Sequence, residues 1–312
     1  MNTYRGALAL GALIAITGCG GSSGGGNGGG GGGDPIRHAE ALLGEFSGSY
    51  TGPEAWATID YQAGVGDSDV WKAADTAYMA EVSRVLMAEI NRVAGDDVIG
   101  AGQGEDAFSQ SEPCTGQDGD PPPGDITLQS GSVTFDDYCI KDITLSHPGP
   151  YVLNGTVTWT ARPPSALPMP TEWDTVIDDL SVDWGDGGAL PFTLDGAMIA
   201  RDDLLASAWD IDPAFGADEV LRVLYADSAR DQAWDYQAFH PDLGKFRMAP
   251  NHGAMPCDEH FNAVFQISTP DGADFEANSN DPTQCVDYLV NGEDSLGAPM
   301  ANEAAGWLDT FF

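Results

Sequence analysis

Four of the five cysteines fall as two local pairs, Cys114 with Cys139 and Cys257 with Cys285. An even number of thiols at such spacing, in a chain read as exported, fits two disulfides, although four cysteines permit three connectivities. Nearest-neighbour bridging closes loops of about 25 residues, each worth about 3 kcal/mol through restriction of the unfolded chain. The competing chemistry is a zinc site drawing on His240, His252, Cys257 and His260. Their spacing fits no standard zinc module, and Cys257 has an obvious partner in Cys285.

Carboxylates form the second set. Asp178-Asp179, Asp202-Asp203 and Asp210-x-Asp212 are the densest groupings. A glycosidase needs two carboxylates about 5 to 10 Å apart in a cleft, but in a chain with 49 acidic residues adjacent pairs are expected as solvated surface. The stretch DIDPAFGADEV (210–220) opens like a calcium-binding EF-hand loop, with Asp210 and Asp212 in the first and third positions. It then fails, since Ala214 stands fifth, Phe215 replaces the required glycine, and Leu221 stands where a bidentate Glu belongs. An irregular calcium site on Asp183 and Asp186, or on Asp118 and Asp120, stays open; no other cofactor is expected. None of His38, His147, His240, His252 and His260 sits beside a Ser or Cys elbow, and no phosphate loop or dinucleotide fingerprint occurs. No catalytic residue is assigned. Trp159, Trp173, Trp184, Trp209, Trp234 and Trp307 would stack on sugar rings if exposed; in an antiparallel sheet, Trp more usually packs the core or a cross-strand neighbour.

The fifth cysteine has a different setting. Arg5 precedes an apolar run from Ala7 to Ile16, which ends Ile16-Thr17-Gly18-Cys19. The run is too short to span a bilayer, which takes roughly 20 apolar residues, and suits the centre of an export signal. Residues 20 to 33 follow, eleven of them Gly. This segment has too little apolar surface to fold and behaves as a flexible coil with a reach of about 20 Å. The Ile-Thr-Gly-Cys tetrad resembles the lipobox of bacterial lipoproteins. That resemblance implies a signal peptide over 1–18, cleavage before Cys19, and acylation of its thiol, with 19–33 as a tether. Two or three acyl chains anchor a protein to a membrane effectively for good. Gly20, where Asp would be the retention signal for the inner membrane, implies an outer-membrane lipoprotein, periplasmic or surface-facing.

The formal net charge is −37. Binding phosphates needs positive charge, so nucleic acid is excluded as a partner. The acids are spread along the chain, and only Lys72, Lys141 and Lys245 are lysines, which reads as solubility in a salty medium rather than one cation-binding patch.

Positioning these residues falls to the 279 or so residues after the tether, read as one domain over 34–312. Trp71, Ala74, Tyr78, Val82, Val85, Leu86, Ile90 and Val93 recur every three or four residues, predicting an amphipathic helix over about 68–94. Asp67 or Ser68 would cap its start and Gly95 would end it; Glu81–Arg84 and Glu89–Arg92 would pair on its wetter side. From residue 102 the chain turns to short apolar runs between Gly, Pro, Asp and Ser. Val133, Phe135 and Tyr138, or Val157 and Trp159, read as half-buried strands, and Asp218 to Phe239 is read as strands too. Asn154-Gly155, Asp186-Gly187, Asp195-Gly196 and Asp271-Gly272 read as hairpin turns between strands. The three prolines of EPCTGQDGDPPPGD (112–125) exclude helix and central strand there.

The expected fold is therefore mainly β, an antiparallel meander or half-barrel with the N-terminal helix packed on it. The run SGSVTFDDYCIKDITL…YVLNGTVTW, with the later Asp-Gly-punctuated strands and FHPDLGKF, resembles uncharacterised β-rich proteobacterial lipoproteins over roughly 110–290. That resemblance implies a lipoprotein and carries no catalytic residue across. The functional expectation is an envelope lipoprotein with a structural or binding role. It would meet the membrane through its lipid, and a further envelope protein or a glycan as partner. A carbohydrate- or lipid-binding module is the first alternative, and a hydrolase using paired carboxylates the second.

Overall fold

The computed structural model describes residues 46, 48–59, 68–99, 111–116, 121–142, 150–162, 172–184, 191–201, 204–213, 219–228, 233–251, 263–269, 274–279, 286–290 and 293–294. Among the described residues one helix, α1 (Ser68–Ile99), precedes a run of strands. These are β1 (Ser111–Pro113), β2 (Asp125–Gln129), β3 (Ser132–Asp142), β4 (Tyr151–Arg162), β5 (Glu172–Trp184), β6 (Phe192–Arg201) and β7 (Leu204–Asp212). They continue as β8 (Leu221–Ser228), β9 (Ala233–His240), β10 (Gly244–Asn251), β11 (Ala263–Ser268), β12 (Asp274–Ser279), β13 (Val286–Val290) and β14 (Glu293–Asp294).

From β3 to β14 each strand pairs antiparallel with the next, making a single up-and-down sheet. β2 and β1 lie end to end along the outer edge of β3, against Ser132–Asp136 and Ile140–Asp142 respectively. Among the described residues no pairing joins β14 back to this edge, so the sheet is mainly antiparallel and open. The prolines of 121–123 sit where the edge needs an acceptor: the Pro123 carbonyl takes the N–H of Cys139 at 3.0 Å. The Cys114–Cys139 disulfide, with a Cys114 N–H bond to the Cys139 carbonyl, ties the same edge down. Residues 218–239, read as strands, contain β8 and nearly all of β9.

The sheet curls around α1, which touches β3, β4, β5, β9 and β11. Leu86, Ile90 and Val82 are fully buried with Phe135, Leu153 and Phe246 of the inner sheet face, in one continuous cluster. Side chains of this size are worth about 1.5–3 kcal/mol each when removed from water. Polar ties fix the helix at three heights. Trp209 Nε1–H donates to Ser83 Oγ at 2.8 Å, the Tyr138 hydroxyl to Glu89 at 3.1 Å, and Trp159 Nε1–H to Asp97 at 2.9 Å.

Three expectations for the helix do not hold. It is not one-faced: between Val82 and Ile90 only Arg84 and Ala88 have appreciable exposure, because strands wrap most of its circumference. Glu89, expected on the wet side, is buried with its carboxylate gripped by Arg92 at 2.8 and 2.6 Å, an arrangement that offsets the cost of a buried charge. Gly95 does not end the helix, which runs to Ile99. A Cβ at Gly95 would lie 3.3 Å from the Trp173 ring, so the glycine serves a close approach of helix to sheet. The side chains of Trp71, Ala74, Tyr78 and Glu81 lie outside those described.

Asn154-Gly155 and Asp195-Gly196 are corrected too. Both lie inside strands, β4 and β6, not between them. Asp186-Gly187 and Asp271-Gly272 fall outside the described residues. The mid-strand pairs belong to β-bulges that repeat in form. In β3, Asp136 and Asp137 bulge opposite the single residue Asn154; in β5, Asp178 and Asp179 bulge opposite Asp195. The second Asp of each pair is left-handed, with φ of 48° and 52°. Its N–H donates to the side-chain oxygen of the opposing residue at 2.8 Å in both cases. The sequences match as well: Phe-Asp-Asp-Tyr (135–138) followed by Tyr-Val-Leu-Asn-Gly (151–155), and Ile-Asp-Asp-Leu (177–180) followed by Phe-Thr-Leu-Asp-Gly (192–196). The β3–β4 and β5–β6 hairpins are thus two copies of one unit. A bulge bends its strand and increases twist, so two of them at equivalent places help roll the sheet onto α1. They also explain why Phe135 and Tyr138, an odd number of residues apart, both face inward.

Candidate functional site

A dense set of charged and aromatic contacts among the described residues lies on the opposite, outer face of β7 to β10, under an irregular strap of residues 48–59. Small side chains on β7 and β8, Ala206, Ala208 and Ala226, leave a shallow apolar trough walled by Leu204, Leu224 and Phe239. Tyr50 fills it, edge-on to Phe239 at 5.9 Å, with Phe46 beside it.

A charge pair anchors the strap over that trough. Asp210 on β7 and Arg222 on β8 are direct cross-strand partners. The guanidinium holds both carboxylate oxygens, at 2.7 and 3.0 Å, and the Tyr50 N–H donates to the same carboxylate at 2.9 Å. Aromatic rings cover the guanidinium, Phe46 at 5.1 Å and Tyr50 at 5.3 Å. Gly48 is required because a Cβ there would collide with the Asp210 carboxylate and with Arg222. Burial pushes the Tyr50 hydroxyl up to about 12, and it stays a donor to the Pro53 and His240 carbonyls at 2.9 and 3.3 Å.

The strap then rounds the β9–β10 hairpin and joins the edge of β10. Ala57 N–H donates to the Lys245 carbonyl at 2.8 Å and Lys245 N–H to the Ala55 carbonyl at 2.9 Å, a parallel bridge centred on Trp56. Lys245 Nζ lies 4.8 Å from the Trp56 ring centre and Arg247 Cζ lies 5.5 Å from it. Gly244, at φ 95°, lets the Ala55 carbonyl sit where a Cβ would be. Inside the hairpin, His240 Nδ1 accepts the Asp242 N–H at 3.0 Å. Burial, with Lys72 adding to it, lowers the His240 pKa to about 4, so the ring is neutral near pH 7. Asp242 pairs with Lys72 near the start of α1; their hydrogen bond holds the lysine above and the carboxylate below its ordinary value.

Of the expected site residues, Cys114 and Cys139 form the disulfide. Cys19, Cys257 and Cys285 lie outside the described residues, as do Asp118, Asp120, Asp186, Asp202, Asp203, His38, His147, His252, His260 and Trp307. Asp183 is exposed on β5. The paired carboxylates do not act as pairs: Asp178 and Asp179 are exposed in a bulge, while Asp210 is committed to Arg222. Asp195, opposite Asp210 in register, has its carboxyl raised by burial and by Asp179, Asp178 and Asp210, against the lowering pull of the Asp179 N–H. Among the described residues no three His, Cys, Asp or Glu side chains are placed to hold a metal ion. Trp159, Trp173 and Trp209 face the core; the side chains of Trp184 and Trp234 lie outside those described.

Sequence reasoning missed the strap. Its signal was the scarcity of positive charge: four of the chain's 12 basic residues, Lys72, Arg222, Lys245 and Arg247, gather here. The stretch FHPDLGKF (239–246) acquires a role residue by residue, as the corner around which the strap turns. Comparison with protein-family models, curated proteins and solved structures found no match.

Proposed function

We infer that the chain is a membrane-tethered envelope lipoprotein, acylated at Cys19, whose β-domain has a structural or protein-binding role rather than an enzymatic one. The observation that carries this reading is the order of segments: an apolar run followed by Cys19 and a glycine-rich stretch in the sequence, then a strap that fastens onto a sheet. The packing favours a protein partner over a small ligand. A lipid carrier of this architecture would hold its ligand between helix and sheet, and there Leu86 and Ile90 are packed against the strands. A sugar-binding face would display its indoles, and three of them are turned into the core. The chain's net charge of −37 would steer a basic or neutral protein partner and repel anionic lipid and nucleic acid.

Labelled palmitate tests the anchor. The label should enter the wild-type chain and be lost in Cys19→Ala with export retained; label persisting in the variant would overturn the reading.

A further inference from the structure

The strap passes from one face of the sheet to the other. Tyr50 belongs to the outer apolar cluster, whereas Ala57 and Ile59 belong to the inner one, and α1 begins at Ser68. Along the chain, everything before residue 46 therefore connects to the buried helix through the strap. Without a fixed point on that path, a pull on the N-terminal segment would act directly on the start of the helix that fills the core.

The contacts along 48–59 are what a fixed point requires. At one end the backbone is bonded to a buried carboxylate that is itself held by Arg222. At the other, two backbone hydrogen bonds join it to β10, with Trp56 against Lys245 and Arg247. Between them, the Tyr50 hydroxyl and Gly52 press on the hairpin at His240 and Pro241. Glycine at 48 and 244 removes the side chains that would hold the strap off. Most of these ties are specific to backbone and charge; burial of apolar surface on the outer face under the strap centres on Tyr50 and Phe46.

We propose that residues 48–59 are a mechanical latch, which takes up tension from the N-terminal segment on the outer face and isolates α1 from it. The source of tension rests on the tether reading above; the latch itself does not. Its ties are of a kind that opens separately from a packed core, so two mechanical units in series are expected in one chain.

The test uses the unlipidated full chain, carrying Cys19→Ser and held in an optical trap by peptide handles at its two ends. The expected record has a first small opening of about 40 Å, the length of twelve extended residues, before any larger one. In Tyr50→Phe that first opening should be about tenfold faster at the same force, as loss of the hydroxyl's bonds to the Pro53 and His240 carbonyls implies, with the larger opening unchanged. Trp56→Ala should act in the same way from the other end of the strap. Strap and helix coming away together, or variants that alter only the larger opening, would overturn the proposal. Because the lipid is absent, failure of the acylation reading would leave this result standing and would be seen separately in the palmitate experiment.

Discussion

Asp210 and Arg222 face each other across β7 and β8 with both carboxylate oxygens engaged, and the Tyr50 N–H completes the set. The carboxylate is fully buried and the guanidinium nearly so. Removing one partner leaves the other charged and desolvated, which typically costs about 3–5 kcal/mol. Arg222→Leu should therefore lower the unfolding free energy by about 3 kcal/mol in urea, whereas Asp210→Asn combined with Arg222→Leu should cost less than Arg222→Leu alone. Additive losses in that double-mutant cycle would show the pair to be independent residues.

His240 gives a signed dependence on pH. Its folded-state pKa, about 4, lies below its ordinary value of 6.5. The unfolded chain therefore takes up a proton on this ring as pH falls through 6.5, and the folded chain does not until about 4. The neutral ring's contribution to stability is whole above 6.5 and is lost progressively between 6.5 and 4, at up to about 1.4 kcal/mol per pH unit. His240→Asn, whose side-chain oxygen can accept the Asp242 N–H in place of Nδ1, should flatten the stability curve across that window relative to wild type. Parallel curves would show that the titration belongs to other groups.

Asp179 occupies left-handed backbone, a conformation that costs a side chain about 1 kcal/mol and glycine little. It also adds negative charge beside Asp195. Asp179→Gly keeps the N–H that Asp195 accepts and should raise stability by about 1 kcal/mol, read as a higher melting temperature. Asp179→Val should lower it, since a β-branched residue fits that backbone poorly.

Leu86 is fully enclosed between helix and sheet. Leu86→Ala should cost about 2–5 kcal/mol and open a cavity on the inner face. If the domain is filled rather than ligand-binding, only the variant should gain uptake of a small apolar dye. Val176, 54% exposed on β5, should tolerate Thr with a change under about 0.5 kcal/mol.

Much of the fold was legible because both periodicities were present in the chain. β-branched and aromatic residues alternate in β4, burial alternates along β6, and the helical spacing from Val82 to Val93 is regular. The misreadings share a cause, which is that one local property serves two tertiary purposes. Asn-Gly and Asp-Gly announce backbone freedom, and both a hairpin turn and a mid-strand bulge use it; only the partner strand decides. Gly196 in β6 shows the ambiguity at its sharpest: a Cβ there would lie 2.7 Å from that of Trp209, a contact set by the neighbouring strand. Gly95 looked like a stop because nothing nearby in sequence announces Trp173. Glu89 looked solvated because its i,i+3 partner Arg92 suits a wet face equally well, and its other donor, Tyr138, becomes informative only once β3 lies over the helix. The strap was invisible for a simpler reason: irregular backbone has no period.

The helix at the centre of this domain precedes every described strand in the chain, and so is made before them. Each strand from β4 onward finds its neighbour immediately before it, so the sheet can be laid down hairpin by hairpin. The helix cannot be satisfied on that schedule. Its packing is complete only when strands as late as β9 and β11 have closed over α1. While the chain is emerging, β3 to β5 cover only part of the helix, so the nascent domain carries a half-covered apolar rod until the later strands have arrived, and a chaperone that holds such surfaces would find its substrate in that interval.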